Sequence, residues 1–398
     1  MIYIAIILFL ILLAYIHDYH GVKKNKNLWY NVSMWIFILL SGLRYRIGSD
    51  TQMYELSFIE IPKIWDLTSY YIFQRSSYEP GFTIFMSIIK TISGSFWLFL
   101  LVQSIIINVS VFNFFKRNTS YPFVAVIIYF IVLYYFINCE AARQGIALSI
   151  LLFSWKHFVN NRWITFLACV VLASTFHMTA LVFLFLPLLK FLGLWKFLKM
   201  NIPMAILLAV LICTVYLFVE PLSQNLIMLG MGNSAEGKVQ FYFNQGYESM
   251  DTGITTKLIH AFSYILIPFY SFRRITVNGT HNNLTHMVII YCIISICTVI
   301  PMFYRLSYYF MPFYLCMISE ALFAKNTKCK ERMQYSFGRY FNKTLFAMAI
   351  IFILYKSNAY FYQEIANPNY RYYMRFYPYN SVIDKGTDEN REKIYEYL

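Results

Sequence analysis

An all-α integral membrane protein, crossing the bilayer about twelve times, is the fold class this sequence predicts. Three observations predict it. Of 398 residues, 59% are hydrophobic and only 13% charged, and the mean hydropathy is +0.53, far from the balance that a water-facing surface requires. Apolar runs of roughly 15 to 20 residues recur along the chain, each long enough for a helix to cross a hydrocarbon core of about 30 Å. The charges lie between those runs. Backbone groups in lipid must satisfy one another, so the runs are expected to be helices, and alternating strand-sized segments suited to a barrel do not dominate anywhere.

In chain order, crossings are expected near 2–17, 29–43, 96–115, 122–138, 142–158, 163–176, 178–190, 203–219, 257–272, 286–302, 305–323 and 344–361. The first lacks a basic leader and a small-residue cleavage site, so it reads as a retained span rather than a signal peptide. The segment 81–93 is apolar but short, which suits a re-entrant or interfacial helix better than a span. Lys/Arg bias fixes the expected sidedness. With the N-terminus outside, the inner loops carry Lys23, Lys24, Lys26, Lys116, Arg117, Lys156, Arg162, Lys190, Lys196, Lys199, Arg273 and Arg274, then six more between Lys325 and Lys343, against the acids Asp18 and Glu331. Counting 81–93 as a full crossing would move most of these loops outside, against the positive-inside tendency. The net charge of +14 is therefore a topology signal, and no nucleic-acid partner is expected.

A single polytopic domain over 1–398 is expected, with longer outer loops at 44–80 and 220–256 and an outer Tyr-rich tail at 362–398. The seven cysteines form no CxxC or Cys/His cluster and read as packing residues, so no metal site or cofactor is expected.

Polar residues gather at the expected outer helix ends. Arg44, Arg46, Gly48, Asp50 and Tyr54 form a compact turn suited to gripping an anion and orienting a hydroxyl, or a loop with an internal Arg/Asp pair. Glu79 precedes Pro80 and Gly81, where a carboxylate also serves as a helix cap. Arg143 and Gln144 follow Glu140. A guanidinium inside a span is costly and needs a partner, which is either Glu140 on the same helical face or an anionic ligand. His177 can exchange a proton near neutral pH as a general base, or serve as a hydrogen-bonded structural residue. Arg305, near Tyr308 and Tyr309, has no acid within four residues, which favours an anion site. The dense tyrosines at 370–379 read chiefly as an interfacial belt, with sugar stacking the alternative.

This order of motifs, Arg46-Ile-Gly48-Ser-Asp50 with Tyr54, Glu79-Pro-Gly-Phe, Arg143-Gln144, Phe176-His177 and Arg305 with Tyr308 and Tyr309, resembles the EpsG-like branch of Wzy-type bacterial polysaccharide polymerases, including O-antigen polymerases, over roughly residues 40 to 310. Ser49 departs from the Thr often found at that position in the family. The resemblance implies a metal-independent membrane glycosyltransferase of the bacterial inner membrane, GT-C-like in fold. It would join undecaprenyl-diphosphate-linked oligosaccharides, as donor and acceptor, at the periplasmic face, among membrane lipids and with a chain-length regulator protein as a further partner. Arg143 and Arg305, helped by Arg44 or Arg46, would hold the diphosphate, and His177, with Asp50 and Glu79 as rivals, would be the base. A lipid-linked oligosaccharide flippase, a membrane O-acyltransferase and an O-antigen ligase are the competing readings.

Overall fold

The computed structural model describes residues 2–48, 50–215, 258–259, 261–276, 282–297, 301–323, 344, 347–349, 351–353 and 372–383. The expected loop 220–256, most of the crossing at 344–361, and the tail apart from 372–383 lie outside them. Every regular element described is helical, and the chain falls into two compact units, residues 1–188 with 353–398 and residues 189–352.

The first unit contains α1 (Ile2–Leu13, continued by a π-turn to Tyr19), α2 (Lys26–Gly42), α3 (Asp50–Glu60), α4 (Pro80–Ile92), α5 (Phe96–Asn118), α6 (Pro122–Val132), α7 (Ala142–Val159) and α8 (Trp163–Ser174). A 3-10 turn, Met178–Leu184, follows α8. Prolines at the starts of α4 and α6 supply a pre-set φ where no backbone donor is needed. At 13 residues α4 spans about 20 Å, short of a hydrocarbon core. Among the described residues, Ile2–Tyr19, Phe96–Asn118 and Tyr304–Phe323 are long and apolar enough to cross a membrane, and seven shorter apolar helices accompany them.

The expected outer loop 44–80 is not simply a loop. It contains the eleven-residue α3, whose Tyr54 and Phe58, with Ile61 just beyond its end, pack with Phe82, Met86, Phe99 and Ile146 from α4, α5 and α7. Its packed residues alternate with polar ones and with the exposed apolar Met53, Leu56 and Ile59, and at eleven residues it is too short to stand out as a span. The interior between α2, α5 and the π-turn Phe136–Glu140 is joined by polar groups. Ser41 Oγ and Ser104 Oγ pair at 2.5 Å, Asn108 Nδ2 donates to Asn138 Oδ1 at 2.8 Å, Asn138 Nδ2 donates to the Tyr129 hydroxyl at 3.0 Å, and Gln103 Nε2 donates to the Asn138 carbonyl at 3.0 Å. Each satisfies a donor or acceptor that hydrocarbon could not.

The second unit contains α10 (Ile202–Thr214), α11 (Ile267–Thr276), α12 (Asn282–Ile296) and α13 (Pro301–Phe323), with α9 (Phe185–Phe191) spanning the boundary. The Tyr314 hydroxyl donates to the Ser263 carbonyl at 2.7 Å and its ring lies 4.8 Å from that of Tyr291, so buried aromatics centre this unit.

Candidate functional site

The site is assembled by two glycine contacts. Gly81 donates its N–H to the Thr175 carbonyl at 2.8 Å, and a Cβ there would overlap the Thr175 side chain. The start of α4 thus lies directly against the turn that ends α8. Gly48, at φ +93°, rests on the Cys139 backbone, where a Cβ would overlap the carbonyl, and Thr51 Oγ1 donates to that same carbonyl at 3.1 Å. The start of α3 is thereby fixed to the residues just before α7.

Arg143 stands at the centre. Its Nη1 donates to Glu79 Oε2 at 2.6 Å, its guanidinium lies 5.0 Å above the Tyr78 ring, and the Tyr54 hydroxyl is near enough to feel its charge. Glu79 Oε1 also accepts from the Met178 N–H at 3.4 Å, and His177 is close enough to favour its ionised form. Asp50, exposed in the first turn of α3 one turn before Tyr54, acts electrostatically on both Tyr54 and Tyr78. Burial alone would raise the Glu79 carboxyl, but the Arg143 charge and hydrogen bond outweigh it, holding the group below the usual carboxylate range. Burial pushes the Tyr54 hydroxyl well above its ordinary value, so it stays protonated.

His177 is 8% exposed and caps the 3-10 turn. Its Nδ1 lies 2.9 Å from Thr179 Oγ1 and 3.4 Å from the Thr179 N–H. An amide N–H can only donate, which favours Nδ1 as acceptor and leaves the proton of a neutral ring on Nε2.

The expected Glu140 partner of Arg143 is engaged elsewhere. The π-turn ends at Glu140 and Ala141 leaves helical geometry (φ −87°, ψ 58°), so residues 140 and 143 do not share a helical face. Glu140 Oε1 instead lies 3.5 Å from Arg375 Nη1. The segment 372–383, within the tail read from the sequence as an interfacial tyrosine belt or a sugar-stacking face, returns to this region. The Tyr45 N–H donates to the Asn380 carbonyl at 2.8 Å, the Val382 N–H to Leu43 at 2.8 Å and the Gly48 N–H to Arg375 at 3.1 Å, with an antiparallel bridge between Arg44 and Ser381. A basic residue amid tyrosines was the available signal for Arg375.

Not every sequence-predicted residue reaches this cluster. Arg44 is 1% exposed and donates to the Ser41 carbonyl, so it lies beneath the surface. Arg46, at φ +50°, lies over the Tyr45 ring. Gln144 is buried on α7. Arg305, half-buried, and the buried Tyr308 and Tyr309 belong to α13 in the second unit. Among the described residues no group of three or more His, Cys, Asp or Glu could hold a metal ion.

Among the described residues every regular element is helical, and several apolar helices with a charged cluster at their ends mark a membrane protein. The EpsG family profile matches residues 27–381, nearly the whole chain, and the protein belongs to that family of polysaccharide-polymerase-like membrane proteins. The match extends past the region that carries the motif resemblance and ends at Ser381, the residue bridged to Arg44. No curated protein and no solved structure matches the chain.

Proposed function

We propose that the protein polymerises undecaprenyl-diphosphate-linked oligosaccharide repeats into O-antigen or a related surface polysaccharide, by metal-independent glycosyl transfer at the periplasmic face of the bacterial inner membrane. The observation that carries the reading is the Arg143 cluster, with Glu79, Tyr54, Tyr78, Asp50 and His177 gathered in one unit of an EpsG-family chain.

The acceptor hydroxyl attacks the anomeric carbon of the donor sugar, the bond to the polyprenyl diphosphate breaks, and the hydroxyl proton passes to a base. Asp50 is the favoured base, because it is the exposed carboxylate of the cluster, whereas Glu79 is committed to Arg143 and the capping geometry of His177 favours a donor at Nε2. Arg143, oriented by Glu79, and His177 stabilise charge developing on the leaving diphosphate.

The test is a strain whose only copy carries Arg143→Ala or Asp50→Asn, read by surface-glycan length and by protein level in the membrane. A normal protein level with single-repeat product supports the reading. Normal chain length in both variants overturns it. In a deletion strain, intermediates held in the cytoplasmic leaflet would instead mark a flippase, and free long polymer a ligase.

A further inference from the structure

Arg375 joins both segments that present the charged cluster. Its carbonyl accepts the Gly48 N–H at 3.1 Å, two residues before α3 and Asp50. Its guanidinium meets Glu140, three residues before Arg143, at 3.5 Å, and that pair is largely buried, with 16% and 7% side-chain exposure. The two segments also meet directly, through Gly48 against the Cys139 backbone and the Thr51 hydroxyl on the Cys139 carbonyl. Arg375 is held in turn by the buried Phe376, whose carbonyl accepts from the Tyr3 hydroxyl at 2.6 Å and whose ring lies 5.2 Å from that of Tyr135.

We infer that Arg375 is a positioning residue for the glycosyl-transfer site, setting the spacing between Asp50 and Arg143 through its Gly48 and Glu140 contacts. The inference rests on the proposed polymerase reading. The physical ground is the unwound stretch at Ala141: α7 begins there without a continuous helix behind it, so the placement of Arg143 depends on what grips Glu140. A long-range pair that ties the chain's last described segment to this break restrains both ends of the reacting geometry at once. Errors of about 1 Å in such a site cost on the order of a hundredfold in rate.

The test compares Arg375→Ala, Arg375→Lys and the exchanged pair Arg375→Glu with Glu140→Arg, alongside Arg143→Ala. Polymer chain length is scored in cells, and kcat and KM are measured on purified protein with a lipid-diphosphate oligosaccharide. For Arg375→Ala the expected result is a kcat lower by about a hundredfold with KM changed by less than about threefold, at an unchanged membrane level. The lysine and exchanged variants should recover much of the loss. Full activity of Arg375→Ala while Arg143→Ala is inactive overturns this inference alone. Full activity of Arg143→Ala overturns the underlying reading. Loss of all three Arg375 variants from the membrane marks Arg375 as a purely structural strap and also overturns the positioning role.

Discussion

Two carboxylate–cation pairs in the first unit differ in their surroundings. Asp18 pairs with Lys26 at 3.0 Å near the start of α2, and its other oxygen accepts the N–H groups of Phe123 at 2.8 Å and Val124 at 3.1 Å, capping α6. Its side chain is fully buried, whereas those of Glu79 and Arg143 remain 21% and 24% exposed. Asp18 spends its acceptors on backbone that needs them. The Glu79–Arg143 pair sits instead among a ring face, a buried phenol and a histidine, with part of its surface open to another molecule. The contrast separates a buried ion pair that caps a helix from a partly exposed one set among side chains of the proposed site, and substitution should separate them further.

The largest expected effect is on activity. Glu79→Gln should reduce polymer formation by about a hundredfold with little change in membrane level, because Arg143 loses its orienting charge; comparable chain length would break the distinction. Asp18→Ala should do the opposite, lowering thermal stability in detergent by about 3 to 5 kcal/mol as Lys26 and two helix-start N–H groups lose their partner.

Gly81→Ala should cost about 1 to 3 kcal/mol through the overlap with Thr175, and should lower activity with it, since the same contact places Glu79 beside Met178. Thermal melting and chain length measured together would show whether the two losses track. The pH dependence follows from the lowered Glu79 carboxyl. Its stabilising link is fully present above the ordinary value of 4.5 and is lost as pH falls through the lower folded value. Melting temperatures between about pH 3 and 7 should therefore fall on the acid side in the wild type and fall less in Glu79→Gln. The smallest effect is expected for Tyr78→Phe, about 0.5 to 1.5 kcal/mol, because its hydroxyl contacts to Ser57 and Met53 are lost while the ring beneath Arg143 remains.

Much of this was legible in the sequence because lipid imposes a strong pattern. The described helices follow the apolar runs closely, and the shortness of α4 was readable from its length. Asp50, Tyr54, Glu79, Arg143 and His177 could be singled out because charged and polar groups at helix ends stand out against an apolar background. Their pairing could not. The Arg143 link to Glu79 crosses 64 positions, and the local expectation of Glu140 failed because one residue, Ala141, breaks the helical register. The Arg375–Glu140 contact spans 235 positions, beyond any spacing rule. Asp50 in a first turn, where acids are favoured, was the signal that could have disclosed α3.

The amide and hydroxyl chain through Ser41, Ser104, Asn108 and Asn138 has a mechanical consequence. In hydrocarbon no solvent waits to replace a broken partner, so neither α2 nor α5 can turn about its own axis without stranding several groups together. Twisting is therefore stepwise rather than gradual, and the residues that cap these helices inherit a fixed angular setting from the middle of the bundle.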